Sequence, residues 1–203
     1  VDTGQDQLEE VEASPLRYDE ARHEYIDATT GEVLPHITGM LKATGWVDDT
    51  WFTEESSRRG TEVHRLTLDY DLDAIDVEQC VSEFRGYLLG YDKAIRVVRP
   101  TWAHLEEPFI HPRLRFGGRP DRAGDVYKLR SVGEIKTAKY AKSHQVQMAL
   151  QAILVASKLH ITPEAIQRFV FYLEPNGKWK LEHLTDGAAF AEARRVIRKC
   201  CAL

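Results

Sequence analysis

The 203-residue sequence predicts one α/β domain, a central mixed β-sheet flanked by helices, with an N-terminal helical extension. Three observations lead there. Apolar residues recur at helical spacing through much of the first half. From "RVVRPTWAHLEEPFIHP" the period shortens to two, with Thr, Trp, Val, Phe and Ile enriched. A helical pattern, a hairpin and a last helical pattern then close the chain. The length suits a single domain with a real core, expected over 16–203.

Residues 1–15 are acidic and poor in aromatics, and are expected to form a flexible tail. Tyr18, Tyr25 and Ile26 read as residues of two short strands, turned by "TTGE". Thr38 is the expected cap of a helix over "GMLKATG", ended near Gly45. The stretch "DTWFTEESSRRGTEVHRLTLDY" reads as a helix interrupted near Gly60, and "DAIDVEQCVSEFRGYLLGYDKAI" as another with an acidic face. Three strands follow, at 102–111, 114–126 with a Gly-Gly interruption, and 131–137. "HQVQMALQAILVASKL" is helical, "RFVFYLEPNGKWKLEHL" is a hairpin turning at Pro-Asn-Gly, and Asp186 is expected to cap a helix running to Cys201.

Composition narrows the function. Cys80, Cys200 and Cys201 have neither the number nor the spacing of a disulfide framework or Cys-x-x-Cys metal site. Reduced thiols follow. No apolar run is long enough to span a bilayer and no basic-then-apolar leader opens the sequence, so no membrane association and a cytoplasmic location are expected. The net charge of −5 hides an asymmetry. Residues 1–20 hold seven acids against one arginine, whereas 111–142 hold nine Lys/Arg against three acids. Charge distribution, rather than the total, meets a phosphate backbone.

That basic stretch contains "GGRPDRAGDV" and "GEIKT". Glu134 and Lys136 are two apart in a predicted strand and share a face. Antiparallel pairing through "YKLR" brings Asp121 alongside. Read alone, the three residues are either a surface salt-bridge cluster or a cation site. Asp121, Glu134 and the carbonyl of Ile135 suit a hard divalent ion such as Mg²⁺ or Mn²⁺. Lys136 beside them could hold or deprotonate a nucleophile and offset negative charge.

"GGRPDRAG…GEIKT" resembles the Gly-x-x-Asp and Glu-x-Lys core of the PD-(D/E)xK nuclease superfamily. It fits best the branch holding RecB-type nuclease domains, phage-type exonucleases and mitochondrial genome-maintenance exonucleases. "RRGTEVH" resembles that branch's helix motif, making His64 a metal ligand. "LEEPFIHP" places Glu106 at the upstream acidic position by its register before Pro108, with Glu107 the neighbouring alternative. "HQVQMALQ" resembles the glutamine motif, at Gln147. "LPHITGML" is similar to an N-terminal segment of phage-encoded members. The branch commonly has tyrosine where Gln151 stands, so Gln151 is left to orient Lys136 or to touch DNA.

The resemblance implies a restriction-endonuclease-like core and a divalent-metal-dependent DNA exonuclease of phage-type recombination or DNA repair. Its expected catalytic residues are Asp121, Glu134, Lys136, Glu106 and Gln147. One or two Mg²⁺ or Mn²⁺ ions would be held by His64, Asp121, Glu134 and the Ile135 carbonyl. Arg58, Arg59, Arg115, Arg119 and Arg122 are candidate phosphate contacts, each also readable as a solvated surface residue. Trp51 and Trp102 are readable as base-stacking or core residues. No iron–sulfur cluster and no ATP site are expected, given three cysteines and no Gly-x-x-x-x-Gly-Lys loop. Linear DNA bound at an end is the expected partner; a single-strand annealing protein and a homo-oligomer are family-level expectations. An endonuclease on the same site, and a nuclease-fold module that only binds DNA or a partner, are the alternatives.

Overall fold

The computed structural model describes residues 16–48, 50 and 53–201. The expected acidic tail and Trp51 lie outside them. Strands β1 (Leu16–Asp19), β2 (Glu24–Asp27) and β3 (Val33–Leu34) form a small antiparallel sheet, one strand more than expected. Helix α1 (Ile37–Ala43) begins one residue before Thr38. His36 is its cap, because its extended backbone lets the imidazole accept the Gly39 N–H at 3.4 Å.

Helix α2 (Glu54–Asp71) runs through Gly60 without the expected break. Thr53 and Ser56 cap it reciprocally, each side chain accepting the other's backbone N–H at 3.0–3.1 Å. One helical glycine costs about 1 kcal/mol, less than the stripe of Val63, Leu66 and Thr67 recovers by burial. Helix α3 (Arg85–Val98) starts later than its apolar pattern suggests. Asp76 accepts the Gln79 N–H and Ser82 the Phe84 N–H, and such local bonds compete with helix.

The expected strand 102–111 divides in two, and 114–126 is divided just after its expected Gly-Gly interruption. Glu106, with φ +46°, turns the chain at the end of β4 (Thr101–Leu105). Strand β5 (Phe109–His111) then pairs with β6 (Phe116–Gly118) in a separate ribbon. Strands β7 (Arg122–Val126) and β8 (Leu129–Lys136) form the hairpin, turning at Tyr127 and Lys128. Helix α4 (Lys142–Leu159) crosses over to β9 (Gln167–Leu173), which lies parallel to β8. Strand β10 (Trp179–His183) and helix α5 (Ala188–Cys200) complete the chain. Asp186 lies one residue outside the cap of α5, Gly187, and its carboxylate accepts the Ala188 N–H at 2.9 Å.

The sheet order is β10-β9-β8-β7-β4, antiparallel except for β8–β9, so the central sheet is mixed as expected. Period-two alternation gives it two apolar faces. Ala123, Val132 and Val170 face the core shared with α1, α4 and α5. Val126, Ile135 and Phe171 face the core shared with α2 and α3. Trp102 packs edge-on against Phe171 at 6.3 Å, so core packing is its structural role. At Gly124 a Cβ would lie 2.1 Å from the Thr101 carbonyl oxygen; only glycine lets the irregular β4 register approach β7.

Candidate active site

The pattern that buries both sheet faces also gathers polar groups where β7 begins. Strand β7 begins only at Arg122, opposite Gly133, and β8 continues past it to Lys136. The Ile135 N–H therefore has no strand partner on that edge. Asp121, just before β7, supplies one: its Oδ2 accepts that N–H at 2.7 Å. A strand residue's N–H and C=O leave on the same edge, so the Ile135 carbonyl faces the same side.

Glu134 and Lys136 point to the α4 face, as their spacing predicts. Glu134 is 4% exposed, and three donors reach its carboxylate. Lys136 Nζ and Gln147 Nε2 each lie 2.6 Å from Oε1, and Gln151 Nε2 lies 2.6 Å from Oε2. The glutamines share one face of α4 through their i, i+4 spacing. Gln151 is 3% exposed and positions the Glu134 carboxylate through its Nε2. Its pairing is with Glu134 rather than Lys136.

Helix α2 delivers His64 from the opposite side, with Nδ1 3.3 Å from Asp121 Oδ1. The Asp121 charge raises the imidazole to about 9 against the opposing effect of burial. Burial pushes Asp121 upward, but His64 and Lys136 outweigh it and the carboxyl lies below its usual range. Burial pulls Lys136 down, but Glu134 and Asp121 hold it above the ordinary amine value. Glu106 joins the group through its backbone: its N–H donates to the Asp121 carbonyl at 3.0 Å. Burial, then the Asp121 charge, raises its carboxyl. Glu107 instead pairs with His104 on the exposed side. Of the two neighbouring glutamates, the structure thus places Glu106 beside the group and Glu107 away from it.

The donor set fits a hard cation: two buried carboxylates, an edge carbonyl and an imidazole, with Glu106 beside them. Among the described residues, no three His, Cys, Asp or Glu side chains converge at metal-ligand distance as they stand. Internal donors occupy the carboxylates instead, Ile135 N–H and His64 on Asp121, amides and ammonium on Glu134.

The expected phosphate contacts divide. Arg122 is excluded by its burial: it is 0% exposed, and its Nε holds Asp71 Oδ2 at 2.5 Å. Its position in β7 sends it to the α2–α3 core, and only a buried carboxylate makes that tolerable. Arg115 is held by Asp27 at 2.9 Å and Glu32 at 2.6 Å, tying β6 to the N-terminal sheet. Arg58 pairs with Glu83 at 2.5 Å and lies over the Phe84 ring. Arg119 stays near the site, its Nε donating to the Glu106 carbonyl. Arg59 reaches Thr137 Oγ1 at 3.4 Å, one residue beyond Lys136. Sequence reasoning missed Lys139 and Lys142, exposed beyond β8 and in no ion pair among the described residues. Their position after Glu-x-Lys was the available signal.

No family model matches the chain, and no curated protein matches it. Among solved structures it is similar to an alkaline exonuclease from Laribacter hongkongensis, at 14% identity and a TM-score of 0.43, covering 81% of this chain and 84% of that one. It is also similar to the protein SSO0001, at 13% identity and a TM-score of 0.32, covering 80% and 84%.

Proposed function

We propose that this protein is a divalent-metal-dependent deoxyribonuclease that hydrolyses phosphodiester bonds from DNA ends. One observation carries the reading: Asp121 and Glu134, both buried, meet Lys136, His64 and two glutamines at the open end of the β7–β8 hairpin. A surface salt-bridge cluster would not be buried or need the amides, so that alternative is the weaker one.

In this reading His64, Asp121, Glu134 and the Ile135 carbonyl hold Mg²⁺ or Mn²⁺. Once bound, the ion supplies Lewis acidity to water and to the phosphoryl oxygens. Gln147 and Gln151 fix the Glu134 carboxylate so that its oxygens need no reorganisation during reaction. Lys136, ion-paired to Glu134 at 2.6 Å, donates to the attacking water and offsets charge gathering on the phosphate. Glu106 is the remaining acid at the site, suited to a second ion. Arg119, Arg59, Lys139 and Lys142 form the cationic approach.

The test is digestion of end-labelled linear and closed circular DNA with Mg²⁺, Mn²⁺ or chelator. Hydrolysis of linear DNA with either ion, no hydrolysis with chelator and an intact circle are expected. Cleavage of the circle would favour an endonuclease. Asp121→Ala or Lys136→Ala that left Mn²⁺-dependent digestion unchanged would overturn the residue assignments.

A further inference from the structure

We propose that the cavity between the N-terminal sheet and helix α4 seats the base of one unpaired DNA nucleotide beside the reacting phosphate. This inference rests on the DNA-hydrolase reading above and deepens it by naming the substrate's state. The cavity has a volume of about 230 Å³ and is lined by Tyr18, Tyr25, His36 and Thr38 on one side and by Arg119, Gln147 and Gln151 on the other.

Its position ties it to the chemistry. Gln147 and Gln151 line the cavity and also hold the two oxygens of Glu134. Arg119 lines it and bonds the Glu106 backbone. A molecule in this space therefore lies one side chain away from both acids.

Its chemistry selects the occupant. Gln151 is 3% exposed, and Glu134 accepts from its Nε2, which fixes the amide orientation because an ionised carboxylate only accepts. The carbonyl Oε1 is left buried without a partner. An unpaired buried acceptor costs about 1–3 kcal/mol until a donor reaches it. A nucleobase edge carries amino or imino N–H donors, which a bare phosphate or sugar ring oxygen lacks. The half-buried Tyr18 ring, 4.9 Å from the buried Tyr25 ring, supplies aromatic surface, and Arg119 supplies a cation for the attached phosphate.

Its size sets the state of the strand. The volume is below the roughly 300–1,000 Å³ of a drug-sized ligand pocket, so it takes one heterocycle and no base pair. A base in duplex DNA also has its pairing edge occupied. The preferred end is thus single-stranded or frayed.

The pocket is tested apart from catalysis, by binding oligonucleotides in chelator. A strand with 2-aminopurine at the terminal nucleotide reports base seating by fluorescence, and a matched abasic strand competes against it. The wild-type protein is expected to bind the abasic strand about 5–150-fold more weakly, the factor that one stacked base is worth. Thr38→Phe, at an exposed lining position, fills the cavity and is expected to abolish that difference. Tyr18→Leu on the same wall is expected to reduce it if Thr38→Phe fails to fold. Equal binding of the two strands by wild type would overturn the proposal. So would discrimination that survives both variants. Absence of Mg²⁺- or Mn²⁺-dependent hydrolysis would instead count against the hydrolase reading, since base seating is read without cleavage.

Discussion

Lys136, Glu134 and Asp121 each satisfy a neighbour, so removing one alters the others. Lys136→Ala leaves Glu134 to the two amides and removes the positive charge nearest the site. It is expected to slow hydrolysis of end-labelled DNA by about 10²–10⁴-fold, the range for a positioned proton-handling group. Circular dichroism is expected to remain native, because Lys136 is at the strand's end. Arg122→Ala has the opposite profile. It strands the buried Asp71 carboxylate, and removing one partner of a buried pair costs about 3–5 kcal/mol. Urea unfolding should show that decrease. Glu134 and Lys136 were legible in the sequence because two-residue spacing in a strand puts them on one face, and hairpin pairing brings Asp121 alongside; His64 and Gln147 were named only through the resemblance of their motifs. Arg122 was not legible as a core residue. Its register points it inward, but only Asp71, 51 positions away in the chain, makes an inward arginine tolerable.

At the scale of elements, the β7–β8 hairpin positions both carboxylates through a turn made without glycine. Tyr127 and Lys128 have φ of +52° and +62°. Left-handed backbone costs an L-residue about 1–2 kcal/mol. Lys128→Gly, at an exposed position, is expected to stabilise the protein by up to about 1 kcal/mol, measured by chemical denaturation, without changing hydrolysis. Helix α4 carries a second prediction. His144 Nδ1 faces the Tyr172 hydroxyl at 2.8 Å and the Ala141 N–H at 3.3 Å, and burial, with Lys136, lowers the imidazole to about 4. An unfolded histidine titrates near 6.5. Between those values the unfolded chain binds the extra proton, so stability is whole above about pH 6.5 and falls as pH drops towards 4. The slope from this group reaches about 1.4 kcal/mol per pH unit. His144→Gln is expected to flatten that part of the profile in thermal melts.

Helix and strand identities were mostly legible because apolar periodicity is a local signal. Their ends were not. The break expected at Gly60 is absent because burial of the α2 stripe outweighs one glycine. The strand division at Glu106 and the separate β5–β6 ribbon depend on which partner each segment finds. Asp76 and Ser82 were visible as residues, but their backbone bonds, which delay α3, belong to one folded conformation.

Over the whole molecule, only part of the basic stretch stays near the site. Arg115 and Arg58 pair with carboxylates of the chain itself, which leaves Arg59, Arg119, Lys139 and Lys142 as the cationic approach of the proposed function. Lys139→Glu with Lys142→Glu is expected to weaken binding of DNA in chelator and to lower the dependence of log K on log salt. Each phosphate that is no longer neutralised reduces the slope by about 0.9 on duplex or 0.7 on single strands. Titration at several salt concentrations checks this. An unchanged slope would remove the two lysines from the DNA path.

By itself the sequence determined the mixed α/β class, the order of its elements and the shared strand face of Glu134 and Lys136, while His64 and Gln147 joined them only through a family resemblance. The first three follow from short-range rules: side chains alternate along strands and recur along helices. Tertiary structure alone decided that Glu107 pairs with His104 on the exposed side. It also decided that Arg122 is buried, that Gln151 holds Glu134, and that the N-terminal sheet closes a cavity against α4. Each of the last three depends on a partner far away in the chain, and local periodicity carries no information about which distant group will satisfy a buried charge or an unpaired carbonyl.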